Sequence, residues 1–181
     1  RFLVWEKAAV KDAGLDPTAP PKTWADLIAN ATKAMKPPAL YGYGFPAFST
    51  DHTADRFYPY LWQGGGEILT ADYKKAAFNS DAGVAALQFM VDCMQKHKIS
   101  PVDMMTMSEG DVGTAINQGK YVYGILAGTG VGNDRFKGDA KVYTELRGMS
   151  HLPIPPGGKQ ATGSGGWLLG INKNSANPEG A

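Results

Sequence analysis

Three short stretches of the chain hold residue types that could do chemistry. Phe48 to Arg56 gathers Ser49, Asp51, His52, Asp55 and Arg56 beside one aromatic ring. Carboxylates and a guanidinium are forked hydrogen-bonding groups that suit hydroxyl-rich ligands, and an aromatic face suits apolar C–H surfaces. The same residues also read as a solvated loop and a helix cap. Ala127-Gly128-Thr129-Gly130 is a second loop, placed just after an apolar run. The third stretch is Gly163-Ser164-Gly165-Gly166-Trp167, followed by Leu168 to Ile171. There the glycines let backbone come close, and Trp167 is either a rigid platform with one N–H donor or a core filler.

More reactive chemistry is imitated but not spelled. Gly128-Thr129-Gly130-Val131-Gly132-Asn133 follows a strand, yet Asn133 stands where a dinucleotide loop needs its third glycine. Around Lys159, Pro153 occupies the first glycine position of a phosphate loop and no Ser or Thr follows the lysine. Ser164 lacks one glycine of a nucleophile elbow, because Thr162 is there. His52, His97 and His151 are scattered and the single cysteine, Cys93, has no partner, so neither a zinc site nor a disulfide is expected. Asp51, Asp55 and Glu67 are the remaining candidates for a glycosidase pair, and nothing in the sequence fixes their separation. No catalytic residue, metal or cofactor is assigned.

The 181 residues are 43% hydrophobic and 19% charged, with a net charge of +1. That composition suits a globular domain and gives no sign of a nucleic-acid or acidic-membrane partner. No apolar run is long enough to span a bilayer, and no signal peptide opens the chain. Arg1 is not an initiator methionine, so the sequence reads as a mature piece or an internal fragment.

Several elements are expected to position the three stretches. Trp5–Ala13 reads as a short helix ended by Gly14, and Thr23 with Asp26 as the capping box of a second. Tyr41–Phe45 and Tyr121–Leu126 read as strands, and His52–Gln63 as a helix stopped by three glycines. Glu67–Leu69 and Ala76–Phe78 could pair as a hairpin. Ser80 opens a helix whose apolar stripe is Val84, Leu87, Met90, Val91 and Met94, with Cys93 as a packed thiol at its border. Ser108 and Asp111 cap a further helix through Gln118. Gly132–Lys141 stays uncommitted, Val142–Leu152 contains a strand, and Leu168–Ile171 reads as a buried strand. Trp24 and Trp62 are assigned to packing.

Five collinear pieces carry a resemblance: Val4-Trp5-Glu6-Lys7 through Trp24, Tyr60 to Leu69, Ser108 to Lys120, Pro153 to Lys159, and Gly165-Gly166-Trp167 through Glu179. In order and spacing they resemble the bacterial extracellular solute-binding proteins of family 1, the sugar-binding receptors of ABC importers. The resemblance implies an α/β fold, a small mixed sheet flanked by helices, forming one lobe of a two-lobed receptor. Members run to roughly twice this length. On that reading residues 1–166 are most of the second lobe, and residues 167–181 are a crossing strand and the start of a helix leading to the first.

The implied role is capture of a carbohydrate between two lobes and its delivery to membrane permease subunits, in the periplasm or outside the cell, without a covalent step. The implied ligand-binding residues are Trp167, Gly166, Asp51, His52, Arg56, Phe48, Thr129 and Trp5. Trp5 stands where the family has a Tyr near the hinge. Many members place a Trp in the loop around Thr129, and its absence here points away from a long oligosaccharide or to another aromatic in its place. A polyol phosphate, favoured if Arg56 and Lys159 form a positive cluster, is the rival ligand. A carbohydrate-active enzyme or a stand-alone interaction domain is the rival class.

Overall fold

A short, almost wholly apolar strand, β1 (Phe2–Glu6), opens the chain and lies inside the sheet of the computed structural model, which describes residues 1–128, 130–165, 170–177 and 179. Its neighbours are β3 (Tyr121–Leu126) and β4 (Arg147–Ser150), both antiparallel to it, and β2 (Tyr41–Gly44) runs parallel to β3 at the far side. The order is β2-β3-β1-β4. All six residues of β3 are buried. Successive side chains of a strand point to opposite faces, so both faces of the sheet must be covered, here by helices.

The covering helices are α1 (Lys7–Asp12), α2 (Trp24–Ala34), α3 (Asp51–Gln63), α4 (Asp81–Gln95), α5 (Glu109–Asn117) and α6 (Ala140–Leu146). Both capping boxes form as the sequence indicates. Thr23 Oγ1 accepts from Asp26 N while Asp26 accepts from Thr23 N, and Ser108 and Asp111 do the same at α5. Each satisfies amide donors that a helix start leaves orphaned. Trp24 is the wedge between three helices: its ring stacks on Phe89 of α4 at 4.3 Å and meets Tyr60 of α3 edge-on at 5.6 Å. Ile68–Thr70 and Lys75–Ala77 hydrogen-bond across as the expected hairpin, with Leu69 and Ala76 as its bridge.

Three expectations need correction. The first helix begins at Lys7, not Trp5, because Phe2–Glu6 is claimed by sheet pairing on both edges. The buried face of α4 is Gly83, Ala86, Phe89, Met90 and Cys93, whereas Val84 and Leu87 are 59% and 55% exposed. At the start of that face a Cβ on Gly83 would stand 1.8 Å from the Phe78 carbonyl oxygen, so the helix packs there only because the residue is glycine. Helix α6, which starts inside the uncommitted segment, is capped by Asp139 and delivers the chain to β4. Of the strand expected over Leu168–Ile171, Leu168 and Leu169 lie outside the described residues, and Ile171 is exposed and extends no sheet.

Candidate ligand site

The two parallel strands end at the same place. β2 runs into Pro46 and the loop that starts α3, and β3 runs into Ala127 and Gly128. Because β1 is antiparallel to β3, with Phe2 opposite Leu126, its first residue also arrives here. Side chains beyond the carboxyl ends of parallel strands are where open α/β sheets place their ligands. A cavity of about 410 Å³ lies there, lined by Arg1, Asp51, His52, Asp55, Glu109, Ala127 and Gly165.

Helices α3 and α5 both aim their N-termini at this cavity, and each supplies carboxylates that complement its own dipole. The charges interlock. Arg1 donates to Asp55 Oδ2 at 2.5 Å, and Arg56 Nη1 lies 3.7 Å from the same oxygen. Arg56 Nη2 donates to Glu109 Oε1, while His52 Nδ1 is 3.0 Å from Glu109 Oε2. The Arg56 side chain is only 2% exposed, against 30% for Glu109, 37% for Asp55 and 43% for His52. Two guanidiniums, Arg1 in the lining and Arg56 just outside it, therefore stand among three carboxylates, counting the exposed Asp51.

The chain returns to this edge before residue 165. Arg1 N donates to the Gly163 carbonyl at 2.8 Å and Thr162 Oγ1 to the Arg1 carbonyl at 2.6 Å, which brings Gly165 to the cavity wall.

Of the residues nominated from sequence, the structure brings Asp51, His52 and Arg56 together. Phe48 stands in the same loop, 42% exposed, with its carbonyl accepting from Thr50 N and Thr53 Oγ1. Gly166, Trp167 and Thr129 lie outside the described residues. The structure does not bring Trp5 to this cleft: it lies four residues along β1 from Arg1, about 13 Å at the rise of a strand. There it is 4% exposed, covers Gly148 of β4 and donates its indole N–H to the Pro17 carbonyl at 2.8 Å. Glu109 was not nominated. Its only sequence signal was the first turn of a capped helix, and its partners Arg56 and His52 are more than fifty residues away.

The enzyme and anion alternatives lose their geometry. Glu67 follows the opposite end of α3, so it pairs with neither Asp51 nor Asp55 across one bond. Lys159 hydrogen-bonds through its backbone N to the Gln63 carbonyl, two helical turns from Arg56, so the positive cluster is not built. Among the described residues no group of His, Cys, Asp and Glu could hold a metal ion.

The profile of the family described as bacterial extracellular solute-binding protein matches residues 1–181. A probable amino-acid ABC transporter periplasmic-binding protein of Sinorhizobium fredii is 28% identical over 99% of the chain, which covers 39% of that relative. Among solved structures, maltose-bound MalE3 of T. maritima is 31% identical, with a TM-score of 0.81 over 99% of this chain and 45% of its own. A solute-binding protein of Thermotoga lettingae bound with alpha-D-tagatose is 30% identical, with a TM-score of 0.71 over 84% of this chain and 38% of its own. The chain thus spans about two fifths of the length of the curated relatives it matches.

Proposed function

Because the chain belongs to the bacterial extracellular solute-binding protein family, a family of transport receptors and not of enzymes, we propose that residues 1–165 form one wall of a two-walled cleft for a neutral carbohydrate or polyol. The observation that carries this is the interlocked set Arg1–Asp55–Arg56–Glu109–His52 at the carboxyl ends of β2 and β3. Fixed donors and acceptors side by side, with nearly balanced charge, match hydroxyls that both give and accept. An amino acid would need a cation whose charge is free to meet its carboxylate, yet Arg1 in the lining and Arg56 beside it each already face a carboxylate. The ligands bound in the two solved relatives, maltose and alpha-D-tagatose, support the same class.

In the whole receptor a second lobe would supply the facing wall. Ligand would favour the closed form by binding it more tightly than the open one, and that form would be read by permease subunits. The family implies a periplasmic or extracellular place of work, and no helix among the described residues is long and apolar enough to cross a membrane. Residues 167–181 would lead toward the other lobe, with Trp167 as a stacking platform at the cleft. Native mass spectrometry of the full-length receptor, followed by titration with maltose, D-tagatose and an amino-acid panel, tests the proposal. Sugar or polyol binding is expected, weakened about thirtyfold by Trp167→Ala, the loss of an interface anchor worth about 2 kcal/mol. Binding of amino acids alone refutes it.

A further inference from the structure

A smaller compartment, of about 190 Å³, adjoins the cleft and shares Glu109 and Ala127 with it. Its walls are largely hydrocarbon, from Pro46, Val112 and Leu126, and Arg56 lines it with Glu109. At 2% exposure, the Arg56 side chain spends Nη2 on Glu109, but its Nε and Nη1 are buried without a hydrogen-bond partner among the described residues. The nearest other carboxylate oxygen, on Asp55, stands 3.7 Å from Nη1, beyond hydrogen-bond reach. A buried guanidinium with idle donors is unfavourable until an acceptor arrives. Glu109 is held at one oxygen by Arg56 and at the other by His52, and a carboxylate with about four lone-pair sites still has room to accept.

We infer that this compartment is a specificity subsite for one neutral, hydroxyl-bearing end of the ligand, such as a hydroxymethyl group or a vicinal diol. The inference rests on the sugar or polyol reading of the cleft. A hydroxyl there accepts from Arg56 Nη1 or Nε and donates to Glu109, while its carbon contacts Pro46 and Leu126. The compartment is smaller than the roughly 300–1,000 Å³ of a whole-ligand pocket, so it takes an end group and leaves the rest in the cleft. It also discriminates by charge. Arg56 is already matched by Glu109 and Asp55 by Arg1, so a carboxylate or phosphate end finds no unmatched cation there, whereas a hydroxyl needs none.

The test uses the full-length receptor and calorimetric titration with maltose and D-tagatose. Analogues of each sugar lacking a single hydroxyl follow, then analogues whose terminal hydroxymethyl is oxidised to a carboxylate. One deoxy position should lose roughly tenfold to a hundredfold in affinity, the scale of a hydrogen bond to a charged group, while the others lose less. The acid should lose at least as much, and Glu109→Gln should narrow the gap between the acid and its parent sugar. The deoxy series on the unaltered receptor stands even if that variant fails to fold. Parent sugars that bind with a flat deoxy series, or an acid that binds better than its parent, overturn the subsite and leave the cleft standing. No binding of either parent sugar overturns both.

Discussion

Replacing Glu6 with methionine should destabilise the chain by about 3 kcal/mol, at the lower end of the cost of breaking a buried ion pair. The magnitude follows from what Glu6 holds. Its Oε1 accepts from Arg147 Nε at 2.8 Å and from Arg135 Nη1 at 2.9 Å, and its Oε2 from Arg135 Nη2 at 2.5 Å. Arg135 is 30% exposed and can turn its charge to water, but the Arg147 side chain is 1% exposed and cannot. Arg147 keeps some support, from the Ile116 carbonyl, Asn117 Oδ1 and the Phe136 ring 4.9 Å away, which is why the low end of the range applies. In a chain of this length 3 kcal/mol lowers the melting temperature by roughly 6–12 °C. Urea unfolding followed by circular dichroism measures it directly. Replacing Glu6, Arg135 and Arg147 together by methionine should cost much less than Glu6→Met alone, because no charge is left stranded. A Glu6→Met chain within about 0.5 kcal/mol of the parent, the scatter of an ordinary surface change, refutes the reasoning.

Three further outcomes are expected. Gly148→Ala puts a Cβ 1.9 Å from Trp5 Cε2, and should cost about 1–3 kcal/mol in denaturant unfolding, the range for overpacking; an unchanged midpoint would mean that β4 yields freely. Cys93 is fully buried, and burial followed by the nearby Asp92 charge pushes its thiol up to about 12, so at pH 8 it should resist a thiol reagent in the folded chain and react on unfolding. Rapid labelling without loss of structure would contradict this. Asp26 is held below its ordinary 3.8, chiefly by the hydrogen bond with Thr23, so its stabilising share is complete above about pH 4 and is lost as pH falls through its lower folded value. The acid limb of the stability curve should therefore be shallower in Asp26→Asn, and identical limbs would show that the capping carboxylate contributes nothing.

Local chemistry made parts of the fold legible in the sequence. Thr23 with Asp26 and Ser108 with Asp111 announce helix starts, because a capping box is satisfied within four residues. β3 runs over the expected Tyr121–Leu126, bounded by turn residues. What local reading missed was decided at a distance. β1 looked like the start of a helix until β3 and β4 claimed its backbone from either side. The docking face of α4 is marked by Gly83 and Ala86, whose smallness permits contact, and a search for bulk selects Val84 and Leu87 instead. At the site, the run from Asp51 to Arg56 was visible as a cluster of polar forks. The pairing of Arg56 with Glu109 was not, since it joins the starts of two helices that only the sheet brings together.

The contact between Arg1 and residues 162–163 has a mechanical consequence. Arg1 and residues 162–163 lie side by side, so residues 1–163 close a circuit whose two ends could be spliced into a surface turn of another protein with little stretching. Whatever pulls the two strands apart at that point must also draw Arg1 from Asp55 on the cavity wall.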